Sequence, residues 1–321
     1  MLSLKTTSSF KSISKEWERL YKITPDVSPF LNPDAMSICV KYFYPYYIVN
    51  RCIPLFLLFY EHGSIKAIAP MLKYSNGKTE LFGFANGFNE SGMLFESEGI
   101  LPECIRLIKE TYGEALFLKI DERSPLAAFA QQDAHSTSNA EIRLGNDFDE
   151  YFKNLSKSVR QNIRTAYNRL SSDDNSVEIK VFAGDDEQPI DDIINLYSLR
   201  HEKKYAVKTG FLKKWFLKTQ SFATQLYLHS PNALTFVLYI NGSMAAFMSG
   251  LSGNGRLIIP RLSIDETFKR YSPGMLLVVE AIKHLIKSTD IRVLDLSQGQ
   301  EQYKYNLGAV EHLSYLSLIH I

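Results

Sequence analysis

The run Phe268-Lys269-Arg270-Tyr271-Ser272-Pro273-Gly274 opens an apolar helical stretch and has the makings of an anion cradle. The first turn of a helix exposes unpaired N–H groups and a partial positive charge. Gly274 lets the backbone approach a ligand, Pro273 suits the first helical position, and Lys269 and Arg270 add charge. A pyrophosphate fits that description; so does a capped helix start with two solvated bases. A second polar cluster, Asp295-Leu296-Ser297-Gln298-Gly299-Gln300-Glu301-Gln302-Tyr303-Lys304, follows a strand. It gathers two carboxylates, a phenol and an ammonium around Gly299, which permits a sharp turn. Strand ends are common ligand sites in α/β sheets, and a polar surface loop is the alternative.

Other charged groups stand farther off. Arg160 and Arg164 fall on one helix face with Lys157 near them. They could grip an anion or form a solvated basic face. Arg200-His201-Glu202-Lys203-Lys204 ends a helix, where its cations suit the carbonyl end; His201 or Glu202 facing a cleft is the sharper alternative. Trp17 and Trp215 read as core residues.

The elements that must position these groups follow from periodicity and punctuation. Helices are expected over Ser14–Tyr21, Pro33–Tyr42, Pro102–Tyr112, Asp147–Asn154, Ser156–Leu170, Pro189–Lys204, Lys213–Phe222 and Ser272–Lys287. Strands are expected over Leu55–Tyr60, Ile65–Leu72, Lys78–Phe84, Ala115–Ile120, Val177–Phe182, Leu234–Ile240, Met244–Leu251, Arg256–Ile264 (interrupted at Pro260), Ile291–Leu296 and Leu313–Ile319. Asn241-Gly242 is the strongest hairpin signal in the chain. The order predicts an α+β, mixed α/β fold. A polar, weakly patterned stretch, Gln131–Asn139, divides the chain into modules over 1–140 and 141–321, alike in element content.

A chain of 321 residues suits two cores rather than one. A net charge of +1 argues against a protein that grips DNA through a broad basic surface. Cys39, Cys52 and Cys104 lie far apart with no His cluster beside them, which predicts buried, reduced thiols and no metal. The N-terminus lacks the apolar segment of a secretory signal, and Ile53–Tyr60, the most apolar run, is far too short to span a bilayer. A cytoplasmic protein without a transmembrane segment is expected.

The ordered set Tyr271-Ser272-Pro273-Gly274, a helix, a strand ending in Asp295, then Gly299-Gln300-Glu301-Gln302-Tyr303-Lys304, resembles the GNAT-fold acyltransferases of the FemAB-like and CelD-like group. Ser156-Lys157-Ser158-Val159-Arg160-Gln161-Asn162-Ile163-Arg164 is similar to that group's S-x-x-R-x-x-I-R segment, and Ser28-Pro29-Phe30-Leu31-Asn32-Pro33 to its P-F-L-x-P turn. Gln300 stands where the group usually has Asp, and Leu307 where it usually has Trp.

The resemblance implies tandem GNAT-like modules, each a mixed sheet flanked by helices, with the donor site in the second. It implies acyl transfer from acetyl-CoA or another acyl-CoA to an amine acceptor, such as an amino sugar or a cell-envelope or polysaccharide precursor. A Fem-type transferase using aminoacyl-tRNA and a non-catalytic scaffold are the alternatives; tRNA is a partner only under the first of them. The donor would lie where the strands around Leu257–Ile264 and Ile291–Leu296 splay apart. Donor-binding residues would then be Leu262, Ser263, Ile264, Lys269, Arg270, Tyr271, Ser272, Pro273, Gly274 and Met275. Glu301 is the first candidate base and Asp295 the second. Tyr303 would protonate the leaving thiolate or line the acceptor pocket, and Lys304 would bind the donor carbonyl or a phosphate. Arg160, Arg164, Arg200, His201 and Glu202 are the candidate acceptor contacts.

Overall fold

Alternating and continuous apolar runs in the first third of the chain build one half of the molecule, and a second set builds the other. The computed structural model describes the backbone of residues 2–42, 47–48, 50–82, 89–113, 115–129, 136–184, 186–205 and 228–319; the side chains of 42, 118, 200–205 and 316–319 lie outside that description. The chain divides into two compact units, Met1–Ser138 with His312–Ile321, and Asn139–Glu311. The sequence reading gave all of 141–321 to the second module, whereas the last ten residues belong with the first.

In the first unit the strands run in the order β1 (Ser3–Thr7), β2 (Cys52–Glu61), β3 (Ser64–Tyr74), β4 (Thr79–Leu81), β6 (Ala115–Asp121) and β13 (Val310–Ile319), with β5 (Leu94–Phe95) also on β3. The β2–β3 hairpin turns at His62-Gly63, both at positive φ. Helices α1 (Ser14–Ile23), α2 (Pro33–Tyr42) and α3 (Leu101–Tyr112) belong to the same unit. Trp17 is fully buried, and its indole N–H donates to the Leu31 carbonyl at 2.8 Å. Asp121 of β6 lies 3.3 Å from the His312 imidazole of β13, both buried. Burial raises the pKa of Asp121, but hydrogen bonds from Arg123 and His312 outweigh it and hold the carboxyl well below the usual range. Cys39, Cys52 and Cys104 are buried, and burial pushes the last two thiols up to about 11 and about 12.

The second unit repeats the pattern. Its order is β8 (Val177–Ala183), β9 (Ala233–Ile240), β10 (Ser243–Gly253), β11 (Arg256–Ile264), β12 (Val293–Gln298) and β7 (Ser136–Arg143). In each unit an antiparallel meander ends in a strand that pairs parallel with the next through a crossover helix: α3 between β4 and β6, and α7 (Pro273–Ser288) between β11 and β12. A parallel pair needs such a crossover. The last strand of each array comes from the other half of the sequence: β7 follows β6 in the chain yet pairs with β12, and β13 pairs with β6. Among the described residues, helices α4 (Phe148–Asn154), α5 (Lys157–Ser172), α6 (Ile190–Tyr205) and the short α8 (Gln302–Asn306) also belong to this unit.

Helix α7 is apolar on most of its circumference because it covers β9, β10 and β11; Leu276, Leu277, Val278, Ala281, Ile282 and Leu285 are all buried in the core with Phe236 and Met248. Leu277→Ala is expected to cost about 2–5 kcal/mol, read as a fall in the urea midpoint without a change in slope.

Candidate active site

The β11–β12 pair carries the site. Its parallel register runs through Arg256↔Val293, Leu257↔Leu294 and Ile258↔Asp295, and there it ends. Beyond it, β11 stays paired with β10 up to Ile264↔Ala246, while β12 turns away. The two strands therefore open into a V. Pro260 sits just past the last pair. Proline cannot donate to a ladder and is confined to sheet edges, so this residue fits a stretch of β11 with no partner on one side.

The alternation of β11 decides which backbone groups face the opening. Asp265 N–H donates to the Ala245 carbonyl of β10 at 2.9 Å, so by the two-residue period the N–H groups of Leu262 and Ile264 point to the other edge, into the V. That of Ser263 does not. Its side chain is also sealed, with the hydroxyl donating to the Leu196 carbonyl at 3.4 Å, so Ser263 is withdrawn from the expected donor contacts.

A cavity of about 170 Å³ occupies the V, lined by Tyr197, Ile259, Pro260, Leu262, Leu296, Ser297, Gln298, Glu301, Tyr303 and Lys304. The sequence reading named Leu262, Glu301, Tyr303 and Lys304 for this region. It did not name Tyr197 there, which falls inside the helix expected over Pro189–Lys204; the Arg261 guanidinium lies 5.1 Å from the centre of its ring, a cation–π distance.

The opposite wall is a knuckle at the end of β12. Ser297 has φ +61° and Gly299 φ +120°. The Asp295 carboxylate accepts the Ser297 N–H at 2.7 Å and lies 3.9 Å from Arg256 Nη2. Asp295 is buried, opposes Glu141 of β7 in register, and does not line the cavity. Lys304 Nζ donates to the carbonyls of Ser297, Gln298 and Gly299 at 3.1, 3.0 and 3.2 Å and sits 3.1 Å from Glu301 Oε2. The three carbonyls alone match the three N–H bonds of an ammonium, so Lys304 is engaged by its own turn here rather than held open for a phosphate or the donor carbonyl, as the sequence suggested. The Glu301 side chain keeps 47% of its surface exposed. A Cβ on Gly299 would lie 2.3 Å from Glu301 Oε2, so only glycine leaves that carboxylate room.

The α7 amino end differs in part from the expected cradle. Ser272 is the N-cap residue at φ +50°, and its side chain makes no capping bond. Pro273 has no N–H; Gly274 and Met275 are partly exposed. A Cβ on Gly274 would meet Ile264 Cγ2 at 3.1 Å, so glycine also lets the helix approach β11. Arg270 and Tyr271 are engaged elsewhere. The Arg270 guanidinium pairs with Asp173 at 2.9 Å, and the Tyr271 hydroxyl donates to Asp173 Oδ2 at 2.7 Å. Their side chains bind the α5 end, and Lys269 beside them is exposed.

Arg160 and Arg164 turn toward α4 and away from the cavity. Arg160 donates to the Lys153 carbonyl at 2.7 Å, and the Arg164 guanidinium sits 5.8 Å from the centre of the Phe152 ring. Arg200, His201 and Glu202 lie on α6 with side chains outside the described residues, as do Trp215 and the helix expected over 213–222.

In the first unit the corresponding gap is closed. The β4–β6 register runs only through Thr79↔Ala115 and Glu80↔Leu116. Ser91 then spans the opening: its N–H donates to the Lys119 carbonyl at 3.0 Å, its hydroxyl donates to the Phe82 carbonyl at 2.7 Å, and it bridges Ile120.

Residues 157–305 match the model described as an acetyltransferase (GNAT) domain. That segment is similar to a GNAT domain. The whole chain is similar in fold to solved GNAT-type structures. One is a tandem GNAT protein from the clavulanic acid biosynthesis pathway (9% identity, 99% of this chain and 98% of that one, TM-score 0.54). Another is FemX (8% identity, 97% of each chain, TM-score 0.63). A third is the C-terminal domain of a lysylphosphatidylglycerol synthetase from Agrobacterium fabrum (11% identity, 97% of this chain and 92% of that one, TM-score 0.57). No curated protein sequence matches the chain significantly. The fold is thus a mixed α/β, tandem GNAT-like architecture. Among the described residues, no group of three or more His, Cys, Asp or Glu could hold a metal ion, and no helix is long and apolar enough to cross a membrane.

Proposed function

We propose that the chain is an N-acyltransferase that takes an acyl group from acetyl-CoA or another acyl-CoA and gives it to an amine. The observation that carries this reading is the contrast between the units: the parallel pair is open and lined by acid–base groups in the second, and closed by Ser91 in the first.

The donor supplies a thioester carbonyl. The chain's own groups do the rest. The N–H groups of Gly274 and Met275 at the α7 start, with Lys269 near them, suit a diphosphate. The N–H groups of Leu262 and Ile264 suit the pantetheine arm and the negative charge that develops on the carbonyl oxygen; one such donor contributes roughly 3 kcal/mol to the transition state. Glu301 takes the proton from the amine, directly or through a water. Tyr303, on the cavity wall, is the donor of a proton to the departing sulfur. An amino sugar or another cell-envelope precursor is the acceptor class to test first, on the strength of the sequence resemblance.

Calorimetric titration with acetyl-CoA and with longer acyl-CoAs tests the reading. Micromolar binding with one donor per chain is expected, since among the described residues Ser91 bridges the first unit's gap while the second unit's holds a cavity. Two donors per chain would refute the asymmetry, and no binding of any acyl-CoA would remove the assignment. Binding without turnover on any amine would favour a non-catalytic scaffold.

A further inference from the structure

The knuckle at the end of β12 holds two buried charged residues, Asp295 and Lys304. A strand that leaves its ladder inside a protein strands its backbone N–H and C=O groups, and each must find a partner. Here the partners are side chains of opposite sign. Asp295 takes the Ser297 N–H, and Lys304 takes the next three carbonyls, those of Ser297, Gln298 and Gly299. Both side chains are almost sealed from solvent, at 3% exposure each. A buried charge is tolerated only when hydrogen-bonded in this way. The αL conformation of Ser297 is the strained element that the two groups fix, since a non-glycine residue rarely holds positive φ without such support.

We propose that Asp295 and Lys304 are positioning residues. Asp295 holds β12 away from β11, so that the V is open before any ligand arrives. Lys304 fixes the turn that follows and sets Glu301 against Gly299. This inference rests on the reading of Glu301 as the base, but its first consequence concerns the free protein. In the absence of these contacts the freed groups of β12 would close on β11 or wander, and the carboxylate would lose its fixed place. It also reassigns Asp295, whose carboxylate is spent on the turn and is not available as a second base.

Hydrogen exchange followed by mass spectrometry on the free full-length chain tests the proposal, alongside steady-state kinetics. In Lys304→Met and Asp295→Leu, exchange in a peptide covering 297–305 is expected to rise about tenfold or more, while peptides from β9, β10 and α7 stay at the wild-type rate. Asp295→Asn keeps the Oδ1 acceptor, so its exchange should stay at the wild-type rate and its kcat within about threefold of it. In Lys304→Met, kcat should fall about 30-fold or more, with the acyl-CoA KM changed much less. Unchanged exchange at 297–305 in both Lys304→Met and Asp295→Leu would overturn the proposal. So would raised exchange in Asp295→Asn, which decides the matter if the bolder variants unfold the unit. Loss of kcat in Asp295→Asn with exchange intact would make Asp295 a base and overturn it as well. Failure of wild type to bind any acyl-CoA would instead remove the underlying functional reading and leave the exchange result to judge the knuckle.

Discussion

Glu301→Gln is expected to lower kcat by about 100- to 1,000-fold while leaving acyl-CoA affinity within about threefold of wild type, the span of a lost general base. The amide is the same size as the carboxylate and can still contact Lys304, so the turn at Gly299 should keep its shape. What it cannot do is take a proton from an attacking amine. Glu301 also packs its carboxylate against Gly299. Gly299 combines φ +120° with so little room that any Cβ would displace the Glu301 oxygen. Steady-state kinetics with a fixed amine, paired with calorimetric acyl-CoA titration, measures both halves of the expectation. A variant with wild-type kcat would take the base assignment away from Glu301 and point to Tyr303 or a water.

Gly274→Trp is expected to weaken acyl-CoA binding by about 100-fold or more, equivalent to about 2.8 kcal/mol. A side chain at 274 has little room on the β11 side, where Ile264 Cγ2 would lie 3.1 Å from its Cβ. The indole must therefore turn outward and cover the first N–H groups of α7, where a diphosphate would rest. Gly274→Ala asks Ile264 to give by only a few tenths of an ångström and should weaken binding far less. Equal binding by Gly274→Trp and wild type would place the phosphates elsewhere. Circular dichroism and urea unfolding distinguish a blocked site from a damaged core, because Gly274 adjoins buried Pro273 and Leu276.

The parts of this site that announce themselves in sequence are those set by turn chemistry and helix ends. Asn241-Gly242 makes the β9–β10 turn with both residues at positive φ, as that dipeptide predicts. Asp147 caps α4 by accepting the Glu150 N–H, and Ser156 caps α5 through the Val159 N–H. Pro260, read only as an interruption, marks where β11 loses its neighbour. Strand β7 was invisible because its buried positions include Asn139 and Glu141, so the apolar alternation that betrays a half-buried strand is missing. Its neighbour in the sheet is β12, a partner from the other half of the sequence, and a local pattern carries no record of so distant a pairing.

Lys304 shows the same limit at the level of one side chain. As a residue type it is an exposed cation that would suit a phosphate; in the fold it is buried under its own turn, satisfied by three carbonyls. Arg270 and Tyr271 sit in the expected turn, but Asp173 on the neighbouring helix end claims both. Spacing along the chain located the turn and the cluster. It could not say which of their side chains already had partners.

The most direct measurement is a crystal structure of the chain with CoA bound. The account predicts the pantetheine arm lying along β11 between Ile258 and Ile264, its thiol end in the cavity beside Glu301 and Tyr303, and the diphosphate on the N–H groups of Gly274 and Met275. CoA bound against any other face, or β11 and β12 paired beyond Ile258 and Asp295 in the complex, would contradict it.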